Sequence, residues 1–367
     1  MPFERVEHCG HCFVFLFFEF YQKINVDGVT FQFFNAGHVL GAAMVHMEIS
    51  GVEILYTGDY SAEEDRHLMA AEAPVGCNPD VLICESTFGL QSHPSREERE
   101  TKFLDHVHAI VRRGGRCLVP MFELGRAQEL LLILEEYWRA HPELQDIPVY
   151  YASQMASKAL ELYKTYVSSM NSRVQAQMGN RNPWNFEFIQ GLKGQNFRDS
   201  GPCVVLASPG MLQHGMSRML FERWAEDDKN GIIIAGYSVE GTLARQLLST
   251  PREVEAIDGG TITLRAQVSN VESHGMDSLY FHLSRTIRPQ IAEVSFAAHA
   301  DSKQSARFIE ALAPRTIILV HGERNEMRRL YTVCYLLCLF PICAAYVHYY
   351  CDYDTMFCSL WGKSIAM

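Results

Sequence analysis

The chain has 367 residues, 48% of them hydrophobic and 20% charged, with a formal net charge of −11. That is enough chain and apolar content for two domains with sizeable cores. The acidic balance excludes a broadly basic nucleic-acid-coating protein and leaves local patches or a metal as the means of holding RNA.

The chain opens on MPFERVEHCGHCFVFLFFEF, which lacks the basic n-region and small-residue cleavage site of a signal peptide. Within it, residues 8–20 are aromatic and aperiodic. Cys9-Gly-His-Cys12 spells a disulfide-oxidoreductase-like motif without the thioredoxin-like strand and helix that would give it meaning. Residues 27–56 read as antiparallel strands: GVTFQFF and MVHMEI are extended, and GVEILYTGD stops sharply at Gly58-Asp59. DVLICES, residues 80–86, is an apolar run ending on an acid, the pattern of a buried strand with its working residue at the tip.

A different grammar follows. Ser95 with Glu98 three residues on is a capping-box signal. Phe103, Val107, Ile110 and Val111 recur at helical spacing, and Gly114-Gly115 ends that helix. CLVPMF, IPVYYAS, CVVLAS and GIIIAGY are strands. They alternate with the helices GRAQELLLILEEYWRAH, MASKALELYKTYVSSM, the one after SPGML, and LARQLLS. Such alternation predicts a largely parallel sheet covered on both faces, with ligand crevices beyond the strand carboxyl ends. TITLRAQV is a strand, residues 269–290 follow no clear pattern, and IAEVSF and TIILV are strands leading to His299 and His321 around the helix KQSARFIEALA. Five of the eleven cysteines lie in the apolar last segment, residues 331–367. Only Cys77, Cys84, Cys117 and Cys203 fall in the middle, which reads as reduced and free of a disulfide framework.

His38, Asp59, Glu85, His299 and His321 each end an apolar segment or sit among small residues. Imidazole and carboxylate suit zinc, and a histidine beside a carboxylate suits a general acid. Each also has a plainer reading: a histidine in a turn is ordinarily structural, and an acid ending a strand commonly caps a helix or forms a turn. Arg126 and Gln128 open a helix where a phosphate could meet the N-terminus, with capping and surface pairing as the alternative. His67 orders its own loop, His46 is packed or solvated within a strand, and Arg112, Arg113 and Arg116 form a solvated helix end.

AGHVLGAA, YTGDYS, ESTFG, FELGRAQELLLIL, SPGML, SFAAHADS and LVHGE occur here in the order seen in metallo-β-lactamase/β-CASP RNA nucleases. The chain resembles that family over residues 21–268 and 291–330. The resemblance implies an αββα metallo-β-lactamase sandwich with an inserted β-CASP α/β domain. Its parts are a partial metallo-β-lactamase domain over 21–90, the β-CASP domain over 91–268, an irregular insertion over 269–290, a returning segment over 291–330, and an atypical apolar tail over 331–367. It implies His38 as a ligand of a first zinc, Asp59 as a bridge between two zincs and His321 as a ligand of the second. His299 would protonate the departing 3′ oxygen, and Glu85 would orient it. The implied reaction is zinc-dependent in-line hydrolysis of pre-mRNA, leaving a 3′-hydroxyl. The implied setting is the nucleus, with other subunits of a cleavage and polyadenylation complex, including a β-CASP paralogue, as partners.

One departure is serious. The family's HxHxDH zinc motif is absent; EHCGHC is the nearest candidate, with His8 and His11 three apart rather than two and no Asp-His following. His38, Asp59 and His321 are then three ligands shared between two metals, so the expectation is an incomplete zinc site and impaired activity. The missing motif and the odd segments 8–20, 269–290 and 331–367 suggest an N-terminally incomplete gene product with non-coding sequence read as protein. A non-catalytic β-CASP scaffold and an Integrator-type endonuclease are the alternative functions. The tail, broken by Pro341, is expected to be an apolar extension rather than a membrane anchor.

Overall fold

A computed structural model of the chain describes residues 4–8, 11–15, 18–272 and 296–336, except 154, 180, 193–196 and 198. Most of residues 269–290 and of 331–367 therefore lie outside the described residues. The chain divides into two compact units. The first comprises Met1–Glu63, Ala70–Gln91 and His299–Met367; the second comprises Glu64–Met69 and Ser92–Ala298.

The chain begins with a hairpin, β1 (Glu4–His8) paired antiparallel to β2 (His11–Phe15), where the sequence pattern gave no periodic signal. Next come β3 (Ile24–Val26), β4 (Val29–Asn35), β5 (Ala43–Ile49), β6 (Val52–Tyr56) and β7 (Val81–Glu85). The pairs β3–β4, β4–β5 and β5–β6 are antiparallel, as the alternating apolar pattern predicts, and β6–β7 is parallel.

The second unit starts its helical grammar at α1 (Arg96–Arg112), whose N-cap Ser95 accepts the Glu98 N–H. Phe103, Val107, Ile110 and Val111 are buried on its inner face. The chain continues through β8 (Arg116–Pro120), α2 (Arg126–Ala140), β9 (Val149–Ala152), α3 (Ala156–Thr165), α4 (Ser172–Gln177) and β10 (Ile189–Gly191). It then forms β11 (Cys203–Ala207), α5 (Gly215–Trp224), β12 (Gly231–Ile234), α6 (Leu243–Leu247), β13 (Glu253–Glu255), β14 (Thr261–Thr263) and β15 (Gln267–Glu272).

Six of these strands make one parallel sheet in the order β10-β9-β11-β8-β12-β15. Successive residues serve opposite cores. Cys117, Val119, Val204, Leu206 and Ile233 pack with α1 and α2, while Leu118, Val205, Ile232 and Ile234 pack with α5 and α6. Burial on both faces explains why these strands read as continuous apolar runs. Each such side chain contributes roughly 1.5–3 kcal/mol. The stretch TITLRAQV is not one strand: β14 pairs with β13 and β15 joins the parallel sheet, reaching four residues past Val268.

The chain closes its first unit with α7 (Ser302–Leu312), β16 (Thr316–Val320) and α8 (Arg324–Leu336). The first sheet has the order β16-β7-β6-β5-β4-β3. Met44, Leu55, Leu82, Cys84, Ile317 and Leu319 pack on one face against Phe308, Ile309 and Leu312 of α7 and Met327 and Leu330 of α8. The opposite face is also apolar. Its register aligns Phe33 with Val45, Met47 with Ile54, and Ile83 with Ile318, all only half-buried. Phe18 meets Phe31 edge-to-face at 5.5 Å and stacks on Phe33 at 5.8 Å on that face. No helix among the described residues is long and apolar enough to cross a membrane.

Candidate metal and acid–base site

Adjacent strand ends of the first unit deliver the site. Val320 lies opposite Glu85 in the β7–β16 register, so His321 leaves β16 beside the residue after Glu85. The Ser86 N–H donates to the His321 carbonyl (3.2 Å), and the Ser86 hydroxyl donates to the Val320 carbonyl (2.8 Å). These bonds hold His321 at φ 49°, a left-handed conformation that costs a non-glycine residue energy and persists where its surroundings fix it. A Cβ on Gly322 would lie 2.5 Å from the Ser86 carbonyl oxygen, so only glycine lets the two strand ends approach this closely.

Asp59 follows β6 through Gly58, at φ 56°. His38 sits in the loop between β4 and β5, which turns back on itself through Ala36 N–H to the Ala42 carbonyl (3.1 Å). His299 precedes α7, whose N-cap Asp301 accepts the Gln304 N–H.

The structure brings all five sequence-predicted residues together. His38 Nε2 lies 3.9 Å from Asp59 Oδ2, and His321 Nδ1 lies 3.4 Å from Asp59 Oδ1. The two Asp59 oxygens thus face different histidines. An imidazole on each side of one carboxylate suits zinc in donor type. They supply one histidine on each side of Asp59, fewer protein donors than a closed structural site requires.

Asp59, Glu85, His299 and His321 also have donor atoms within 4.8 Å of one another. Glu85, however, is already engaged. One oxygen accepts the Tyr60 N–H (2.8 Å), the other the Thr87 hydroxyl (2.5 Å), and His299 Nδ1 lies 3.0 and 2.8 Å from the two. Burial pushes the Glu85 carboxyl up. The bonds and charge from His299, then Thr87 and Tyr60, outweigh that and hold it below the usual carboxylate value. Glu85 is therefore an ionised carboxylate held against His299 Nδ1. Its side chain is 2% exposed, against 14% for His299 and 54% for His321.

The other residues singled out from sequence have structural tasks. Arg126 donates to Asp65 (2.7 Å) and Gln128 to the Glu123 carbonyl (3.1 Å), as the pairing alternative expects. Arg113 donates to the carbonyls of Lys229 and Asn230, and Arg116 pairs with Asp199. His46 lies 3.8 Å from Glu53 across β5 and β6. His67 is fully buried, with Nδ1 3.1 Å from Glu129 Oε2, a partner beyond its own loop. Thr87 lies in the turn after β7 and carries no signal in the sequence pattern; its hydroxyl reaches Glu85 two residues back.

Residues 127–247 match the model of the Beta-Casp domain, and residues 285–333 match that of the Zn-dependent metallo-hydrolase RNA specificity domain. The chain belongs to the metallo-β-lactamase/β-CASP family, whose α/β fold it shares. It is 51% identical over 310 residues to cleavage and polyadenylation specificity factor subunit 3 of Dictyostelium discoideum, covering 84% of this chain and 37% of that protein. It is 50% identical over 312 residues to cleavage and polyadenylation specificity factor 73 of Drosophila melanogaster, covering 85% and 42%. With endoribonuclease YSH1 of Mycosarcoma maydis it shares 47% identity over 315 residues, covering 85% and 33%. The chain spans less than half the length of each of these relatives.

Proposed function

We propose that this chain carries the site of a zinc-dependent endoribonuclease that cuts pre-mRNA at its 3′ end before polyadenylation. The observation that carries this reading is Asp59 facing His38 with one oxygen and His321 with the other, beside a buried Glu85–His299 pair. His38, Asp59 and His321 would hold zinc, two ions sharing Asp59. When bound, zinc supplies Lewis acidity to a phosphodiester and activates water.

Glu85 accepts the His299 Nδ1–H, which leaves Nε2 as the working nitrogen of that ring. Protonated, His299 gives its Nε2 proton to the departing 3′ oxygen, and the ionised Glu85 stabilises the imidazolium. By likeness to its relatives the chain would act in the nucleus, among subunits of a cleavage and polyadenylation complex that include a β-CASP paralogue. A non-catalytic scaffold is the second reading, favoured by the small number of donors around Asp59.

The test is cleavage of a pre-mRNA fragment with a polyadenylation signal by purified, zinc-supplemented protein. The account expects products ending in a 3′-hydroxyl, and a rate about 10²–10⁴-fold lower for His299→Ala at unchanged zinc content. Zinc-loaded wild type that does not cleave, or His299→Ala that cleaves equally, sinks the endonuclease reading.

A further inference from the structure

Thr87 occupies the centre of the site. Its side-chain oxygen lies 2.5 Å from Glu85 Oε2, 2.9 Å from His321 Nδ1, 3.2 Å from the His321 carbonyl and 3.4 Å from His299 Nδ1. The residue is only 6% exposed, so water does not readily replace these partners.

A hydroxyl carries one proton and two lone pairs. The shortest of the four contacts, to an ionised carboxylate, takes that proton. The His299 Nδ1–H is already spent on Glu85, 2.8 Å away. His321 Nδ1, at hydrogen-bond distance from an oxygen with no proton left, must itself be the donor. Asp59 Oδ1, at 3.4 Å from the same nitrogen, is also an acceptor and reinforces that choice.

We propose that Thr87 is a positioning residue: its hydroxyl donates to Glu85 and accepts from His321, fixing His321 as the Nδ1–H tautomer that presents Nε2 to zinc. It thereby joins a metal ligand and the acid pair through one oxygen. The zinc half of this inference rests on the metal-site reading above; the tautomer half does not.

The test separates the two. In the metal-free protein, long-range ¹H–¹⁵N correlation, with the His321 ring assigned by loss of its signals in His321→Gln, reads the tautomer directly. Wild type and Thr87→Ser should show Nδ1–H. Thr87→Val, which keeps the shape and loses the hydroxyl, should show a mixture or the other tautomer. Competition with a chromophoric chelator then reads zinc affinity. Thr87→Val should bind about 10–100-fold more weakly, the usual cost of losing such support, with Thr87→Ser restoring it. An Nε2–H tautomer in wild type overturns the proposal without any variant having to fold. So does a folded Thr87→Val with wild-type tautomer and zinc affinity. A wild type that shows the Nδ1–H tautomer but takes up no zinc overturns the metal-site reading and leaves the tautomer assignment standing.

Discussion

In the first unit, Asp59 meets His38 and His321, and those two histidines are its ion-pair partners among the described residues. In the second unit, Asp65 and Glu129 meet His67, and three arginines join them. Asp59 with Glu85, His299 and His321, and Asp65 with His67 and Glu129, each bring donor atoms within 4.8 Å of one another. The arginines set the two apart. Asp65 accepts the Arg126 guanidinium (2.7 Å) and the N–H groups of His67 (2.9 Å) and Leu68 (2.6 Å). Glu129 accepts the Arg66 N–H, Arg96 and His67, while the Arg66 side chain also pairs with Glu100 and Glu136. A metal there would have to displace cations that already satisfy the carboxylates. The ring of His67 is boxed by Tyr163 and Trp184, each 5.5 Å away. Acids and histidines thus make a buried, arginine-paired brace in one place and a more exposed group in the other.

Breaking the brace should give the largest effect on stability. Glu129→Ala leaves Arg66, Arg96 and His67 without their shared acceptor in a buried setting, and should cost about 3–5 kcal/mol in denaturant unfolding of the second unit. Zinc uptake per folded molecule should not change. A loss below about 1 kcal/mol would mean that the brace is an ornament of the packing.

Acid should find the same place. Burial pushes the Asp65 carboxyl up, but His67, Arg126 and the Leu68 and His67 N–H groups outweigh it and hold it at about 2. A depressed carboxyl contributes stability above its unfolded value and loses it as pH falls through the folded one. Between pH 4 and pH 2 the protein should therefore lose about 2 kcal/mol from this group. Asp65→Asn should be less stable at pH 6 and show a shallower decline over that window; an unchanged decline contradicts the assignment.

A smaller effect is expected at the strand ends of the first unit. Gly322→Ala puts a methyl against the Ser86 carbonyl, at a cost of about 1–2 kcal/mol for forcing β7 and β16 apart. Because His321 adjoins it, zinc affinity should fall as well. Weaker zinc binding with stability unchanged would show that the displacement stays local to His321.

Much of this was legible from sequence because local physics decided it. Ser95 and the Phe103–Val107–Ile110 spacing define α1, and two-sided burial makes β8, β11 and β12 unmistakable apolar runs. Asp59, Glu85, His299 and His321 stand out because strand ends interrupt apolar patterns. What was not legible depends on distance along the chain. His67 reaches Glu129, 62 positions away on an amphipathic helix that reads as ordinary core and surface. Thr87 matters only because β16 delivers His321, 234 positions later, onto its hydroxyl. The hairpin β1–β2 was missed because five-residue strands in an aromatic stretch leave little periodicity to read.

The claim that the Asp59 group and not the Asp65 group is the metal site has one direct test: zinc titration of folded wild type, Asp59→Asn and Asp65→Asn under identical conditions. The account predicts that Asp59→Asn binds zinc at least about tenfold more weakly with little change in stability, while Asp65→Asn binds as wild type does but unfolds more readily. Zinc affinity unchanged in Asp59→Asn and lost in a folded Asp65→Asn would contradict it.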